Sequence, residues 1–382
     1  MLTALAYASA ALWILAALLV RRGARAFTPL RDAELQGAPS RAWPRVSIVV
    51  ASRDEGEHVT AAISSLLSLD YPDYEIVAIN DRSRDSTGEK LDELARSSDR
   101  IRVVHLTELP AGWIGKSHAL HRGVEASTGE WILFTDGDVR FHPSVLRLAV
   151  ARALDRRIDL LTLWPQLDTR SFWMRAFYST MLVISVLALG LWAHTRRRQS
   201  LVAVGAGAFL LVRRSAYMGS GGHEAIRLRV VDDITLAQRV RACGFRTELE
   251  MGIDWLVVPW GTSLANYFHV TRKNGFAVFQ FSWFLLLGFT VTAIAVNIVP
   301  PLLFLFDWRL WPASALVWLA LADAYRSQTP LSGRTWLHFL LHPILVVILI
   351  LPAWLSAIAV TREGGVRWRD SFYPLAELKA AL

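Results

Sequence analysis

Hydrophobic and polar positions along this chain fall into three regimes. Residues 2–20 carry no charge and are followed by Arg21, Arg22 and Arg25. That length and basic flank predict a spanning helix with its C-terminal end in the cytoplasm. No basic residue precedes the apolar run, which argues against a cleaved signal peptide. Residues 21–44 are polar and proline-containing and read as a linker. From Val46 the pattern shortens. Residues 46–50 are apolar enough for a buried strand, and Val59, Ala62, Ile63, Leu66 and Leu67 recur at helical spacing before Tyr71-Pro72 stops them. A second strand over 74–79, a polar helix over 86–95 and a third strand over 101–106 follow. Residues 131–134 are bulky and apolar without alternation, as in a strand covered on both faces. Further strands are expected over 158–163 and 205–212. This alternation predicts an α/β fold built on a doubly wound, mostly parallel sheet.

After Trp260 the long apolar runs return. Residues 275–306 carry no charge and contain Pro300-Pro301, and residues 336–360 lack Lys, Arg, Asp and Glu. Two spans are expected there, with a third, shorter candidate over 310–322. Two spans return the basic tail (361–382) to the cytoplasm, whereas three place it outside. Residues 176–193 are also uncharged and precede Arg196-Arg-Arg198. They lie within the sheet region, so they are expected as a helix at the membrane interface rather than a span. The expected organisation is therefore an N-terminal span (1–20), a linker (21–44), a cytoplasmic domain (45–270), C-terminal spans (275–360) and a tail, in the plasma or inner membrane.

Composition agrees with a mixed design. Of 382 residues 53% are hydrophobic and 19% charged, and mean hydropathy is +0.33, more apolar than an ordinary soluble enzyme. The net charge of +8 is spread along the chain rather than gathered in an aromatic-interleaved patch. This favours anionic headgroups over nucleic acid as the partner. Cys243 is the single cysteine, which excludes an internal disulfide and a cysteine-based zinc site.

Candidate chemistry lies at predicted strand ends. The apolar strand at 131–134 runs into Thr135-Asp-Gly-Asp138, two carboxylates separated by a glycine. Ligands of open α/β sheets bind at such ends, and paired carboxylates suit a hard divalent cation that also takes phosphate oxygens. Residues 51–56 follow the first strand and 81–87 the second, which brings Glu55 and Asp81 to the same edge. Asp85, Ser86 and Thr87 read as helix caps, and His118 and His121 as solvated positions on a helix. Gly115-Lys116 at a helix start offers amides and an ammonium to an anion. Asp232 and Asp233 open another helix, and capping explains just one of them. Neither a Ser–His–Asp pattern nor Gly-x-Gly-x-x-Gly is present. These residues point to metal-assisted transfer from a nucleotide diphosphate at a membrane surface, with Asp233 or Asp232 as base.

The ordered set Val46-Ser-Ile-Val-Val-Ala-Ser-Arg-Asp-Glu55, Ile79-Asn-Asp-Arg-Ser-Arg-Asp-Ser-Thr87, Gly112-Trp-Ile-Gly-Lys116, Thr135-Asp-Gly-Asp138 and Val231-Asp-Asp233 resembles family 2 glycosyltransferases of the GT-A fold over about residues 44–270. The resemblance implies inverting transfer from a nucleotide sugar, usually UDP-linked, with Mg²⁺ or Mn²⁺. It implies that Ala51, Arg53, Glu55 and Asp81 bind the nucleoside and that Lys116 lies near the phosphates. Asp138 would be the principal metal ligand with Asp136 beside it at the sugar-phosphate, and Asp233 the base. The family often has Asn where this chain has Asp54. The Gln-x-x-Arg-Trp motif of processive synthases is replaced by Tyr267-Phe-His-Val-Thr-Arg-Lys-Asn-Gly-Phe276, which argues against polymer extrusion. With the Trp368-Arg-Asp-Ser-Phe-Tyr373 tail, the set resembles the branch that glycosylates carotenoids, hopanoids, ceramide or diacylglycerol. A polyprenyl-phosphate acceptor and a non-catalytic scaffold or transporter are the alternative readings.

Overall fold

The computed structural model describes residues 2–26, 43–167, 171–190, 203–259, 263–328 and 336–382. Arg196-Arg-Arg198 and most of the 21–44 linker lie outside them. The centre is an eight-stranded sheet of β1 (Val46–Ser52), β2 (Tyr74–Asp81), β3 (Ile101–Leu106), β4 (Trp131–Asp136), β5 (Arg140–Phe141), β6 (Leu160–Leu167), β7 (Leu210–Arg213) and β8 (Thr247–Val258), in the order β3-β2-β1-β4-β7-β6-β8-β5. β1 pairs in parallel with both β2 and β4, and β6 with β8. β7 and β5 run antiparallel to their neighbours. The sheet is mixed and mostly parallel, as the strand–helix alternation led one to expect. β1 and β4 are almost wholly buried because helices cover both faces, which is why their sequences show no polar alternation. Strand order reverses between β1 and β4, so the crevice at their carboxyl ends is the natural ligand site.

One expected element changes. Strand β7 is short, and residues 205–208 form a turn ahead of it. The backbone at Gly205 and Gly207 passes too close to Asp233 and Asp136 to extend the strand.

β8 carries two acids into the interior. Glu248 and Glu250 are essentially inaccessible, and Arg152 donates to Glu250 Oε1 at 2.6 Å while Arg156 donates to the same oxygen at 2.8 Å. Burial pushes Glu250 up to about 7. Removing one partner of a buried ion pair exposes the other to the full cost of desolvation. Arg156 stays on the same oxygen, so Arg152→Leu is expected to cost about 2 kcal/mol of stability, read as a lower melting temperature of the purified protein.

Among the described residues three helices are long and apolar enough to cross a membrane, Leu2–Arg25, Trp283–Leu305 and Leu337–Glu363. Their outward side chains, such as Leu5, Leu12, Phe284, Leu287 and Leu351, stay exposed, an apolar surface that lipid satisfies and water does not. Pro300-Pro301 is accommodated by a π-helical turn over Ile294–Ile298. The short apolar segment near 310 becomes the helix Trp311–Ser327, which packs along Leu2–Ala26 and pairs Asp323 with Arg21. The helix Phe172–Ala188 buries one side against the helix His342–Glu363 and leaves Phe172 and Trp173 exposed at its start.

Candidate active site

Backbone register sets the first contacts. Asp136 closes β4 directly beside Ala51 of β1. The helix Gly115–Glu125 points its first turn at the same crevice, and Lys116 Nζ lies 2.7 Å from Asp136 Oδ1 and 3.8 Å from Asp232 Oδ2. Asp232 and Asp233 begin the helix Asp232–Ala242. Asp233 Oδ2 accepts the Gly207 N–H at 2.8 Å, and its Oδ1 accepts the Ile234 N–H at 2.8 Å. A Cβ on Gly207 would stand 3.0 Å from Asp136 Oδ2, 3.2 Å from Lys116 Nζ and 3.5 Å from Asp233 Oδ2. Residues nearly a hundred positions apart thus meet around one point. They line a pocket completed by Leu120, Phe134, Thr135, Leu210, His223 and Leu236.

Three carboxylates and one ammonium make a strongly coupled group. Lys116 is held well above its ordinary value: Asp136, then Asp232 and Asp233, outweigh the cost of burial. Burial raises Asp136, and the Lys116 charge more than reverses this. Asp233 is pushed up to about 6 by burial and then by Asp232. Asp138 rises to about 6 through burial and Asp136, and Glu55 to about 7 through burial and then Asp138. Acids that raise one another in this way mark an excess of negative charge at one spot. Among the described residues no three metal-ligating side chains form a closed cage. Asp136 and Asp138 offer instead the open, two-carboxylate donor set of a cation that completes its shell with phosphate and water.

The nucleoside residues expected from the resemblance gather beyond this group. Asp81 is buried at the end of β2, where Arg82 donates to both of its oxygens and Arg53 lies at 3.9 Å. Gly115 faces Asp81, Arg82 and Arg53 so closely that a Cβ would come within 2.8 Å of Asp81 Oδ2. Ser52 Oγ, Ser117 Oγ, Arg53 Nε and Arg53 Nη1 are buried without a hydrogen-bond partner among the described residues. Asp85 takes the Thr87 N–H, as expected of a cap.

One histidine differs from expectation. His118 is buried rather than solvated, packed edge-on against Trp113, whereas His121 pairs with Glu125. A third, His223, was not singled out in the sequence. It is buried in the pocket wall, bonded to Tyr217, and burial and Lys116 push it down to about 3, so it stays neutral. The 205–208 turn was also hidden, although Gly205-Ala-Gly-Ala is a run of small residues of the sort that brackets a close approach.

A mixed, mostly parallel sheet with acids at the β1–β4 switch point and a late acidic helix start has the GT-A type of architecture. Residues 47–219 match the family model of glycosyl transferase family 2. Beta-monoglucosyldiacylglycerol synthase of Nostoc sp. is 28% identical over 54% of this chain and 42% of its own length. The 4,4'-diaponeurosporenoate glycosyltransferase of Staphylococcus aureus is 25% identical over 50% of each chain. The chain thus spans about half the length of the curated relatives it matches. The mannosyltransferase PcManGT of Pyrobaculum calidifontis, solved with GDP-Man and Mn²⁺, shares the fold at a TM-score of 0.56 and 18% identity over 97% of this chain and 100% of that one.

Proposed function

We propose that this chain is a membrane-bound inverting glycosyltransferase that moves a sugar from a nucleotide diphosphate-sugar, UDP-linked by the family resemblance, to a hydroxyl of a membrane lipid. The observation that carries the reading is the meeting of Asp233, Asp136 and Lys116 at one point beside Gly207. In the reaction Asp233 takes the proton of the lipid hydroxyl as its oxygen attacks the anomeric carbon. The carbon–oxygen bond to the diphosphate breaks, and the nucleoside diphosphate leaves with the bonding pair. A single displacement driven by one base inverts the anomeric centre. Asp138 and Asp136 are the residues that would hold Mg²⁺ or Mn²⁺, which as a Lewis acid neutralises charge on the leaving diphosphate. Lys116 keeps Asp136 ionised while facing the pocket. Ala51, Arg53, Glu55 and Asp81 are assigned to the nucleoside side.

A lipid acceptor is supported by the diacylglycerol and diaponeurosporenoate named for the relatives, and by the exposed Phe172 and Trp173, residues suited to a membrane interface. Arg21, Arg22 and Arg25 support a cytoplasmic catalytic domain in a multi-pass protein. The test incubates purified protein and a native lipid extract with a panel of nucleotide sugars, followed by mass spectrometry. A glycosylated neutral lipid is expected, lost with EDTA and restored by Mg²⁺ or Mn²⁺. A sugar found on polyprenyl phosphate instead would move the acceptor, and turnover unaffected by EDTA would sink the metal assignment.

A further inference from the structure

The last span does not end in a free tail. Gly364, at φ 73°, turns the chain out of the helix His342–Glu363 into a two-stranded hairpin, Gly365–Trp368 and Ser371–Pro374. At its tip stand Arg369 and Asp370. Asp370 accepts from Arg53 and pairs with Arg84 at 2.8 Å. Arg369 reaches Asp54 at 3.1 Å and Glu55 at 3.2 Å, and Glu55 shares the electrostatic neighbourhood of Asp138 and Asp136. Tyr373 adds its hydroxyl oxygen as acceptor for the Gly115 N–H at 3.1 Å, at the start of the Lys116 helix. One hairpin therefore contacts Arg53 and Glu55, which the donor reading assigns to the nucleoside, along with Arg84, Asp54 and the backbone amide next to Lys116.

We propose that the Arg369-Asp370 tip is an internal plug of the donor site, a cation beside an anion that a metal-bound nucleoside diphosphate must displace. The inference rests on the donor-site reading above. Two features make the plug releasable. Its ion pairs are partly exposed, the kind whose individual contributions are small. Arg369 also stands in the left-handed region at φ 52°, where a residue with a Cβ is strained and glycine is not. Arg53 is the exception to the exposure: it is buried, and two of its nitrogens make no hydrogen bond among the described residues. Asp370 thus uses part of its donor capacity and leaves the rest for a ligand. Because the hairpin follows directly on a span, its position is tied to the membrane.

The test is calorimetric binding of UDP and of GDP, each with Mn²⁺, to the full-length protein and to Arg369→Gly and Asp370→Asn. Glycine suits the tip's backbone, so the turn is retained, and melting temperatures check both folds. Each variant is expected to bind the accepted nucleotide at least about threefold tighter than wild type, in keeping with loss of a competing exposed pair. In the wild type, tryptic cleavage at Arg367 or Arg369 is expected to speed up when nucleotide and Mn²⁺ are added. Equal or weaker binding by both variants, or protection of the hairpin by nucleotide, would overturn the plug and leave the donor site standing. Binding of neither nucleotide by any of the three proteins would remove the donor-site reading and the plug together.

Discussion

Asp233→Asn is expected to lower turnover by at least about a hundredfold, equivalent to roughly 2.7 kcal/mol of transition-state stabilisation, while the protein still folds. The two carboxylate oxygens accept separate backbone donors, Gly207 and Ile234. An asparagine oxygen can serve one of them, at a cost of about 1 kcal/mol. The neutral side chain also removes repulsion from Asp232, which offsets part of that loss. The pH profile tests the assignment independently. A base works unprotonated, and burial and Asp232 hold Asp233 at about 6. The specificity constant kcat/KM should therefore fall about tenfold per pH unit below that value and level off above it. Asp232→Asn removes the largest electrostatic cause of the upward shift, so the acid limb should move to lower pH while activity persists. Loss of activity in Asp232→Asn with activity retained in Asp233→Asn would give the role to Asp232. Activity in both would mean that neither acid is the base and that another group takes the proton.

Gly205→Ala is expected to be as damaging without touching a single charged group. A Cβ at residue 205 would lie 2.0 Å from the Asp233 carbonyl oxygen and 2.4 Å from its carbonyl carbon. Both are backbone atoms of the helix start, so no rotamer change relieves the overlap. Either the 205–208 turn or the first turn of the helix Asp232–Ala242 must shift, and overpacking of this kind costs about 1–3 kcal/mol. A displacement of an ångström at the base also costs on the order of a hundredfold in rate. Turnover and melting temperature should therefore fall together, in contrast to Asp233→Asn, where the rate falls far more than the stability. Gly205→Ala with wild-type activity would mean that the base is not held by this contact.

Much of this architecture is local enough to be written in the residues. The unalternated apolar runs of β1 and β4 call for strands covered on both faces, and a strand that ends in Asp136 or Asp81 carries its acid to the strand's carboxyl end wherever it docks. Parallel pairing then brings those ends to one edge, which is why Asp136, Asp138, Glu55 and Asp81 could be gathered on paper. Uncharged runs of about twenty residues likewise identify spans, because the bilayer sets one length for all of them. Other features depend on contacts between segments far apart in the chain. The turn at 205–208 reads as strand by composition and becomes a turn because Asp233 and Asp136 crowd it. His118 and His223 have the same side chain as any solvated histidine, and packing against Trp113 and Tyr217 alone makes them interior. The segment after Glu363 looks like a basic tail, since nothing in a run of arginines announces the acids it will meet. Local pattern and chain chemistry determined which residues could do chemistry and which segments enter the membrane. Tertiary packing alone decided which acid faces the pocket, how close the glycines come, and that Arg369 and Asp370 lie across Arg53 and Glu55, because pairings between distant parts of a chain leave no periodic trace along it.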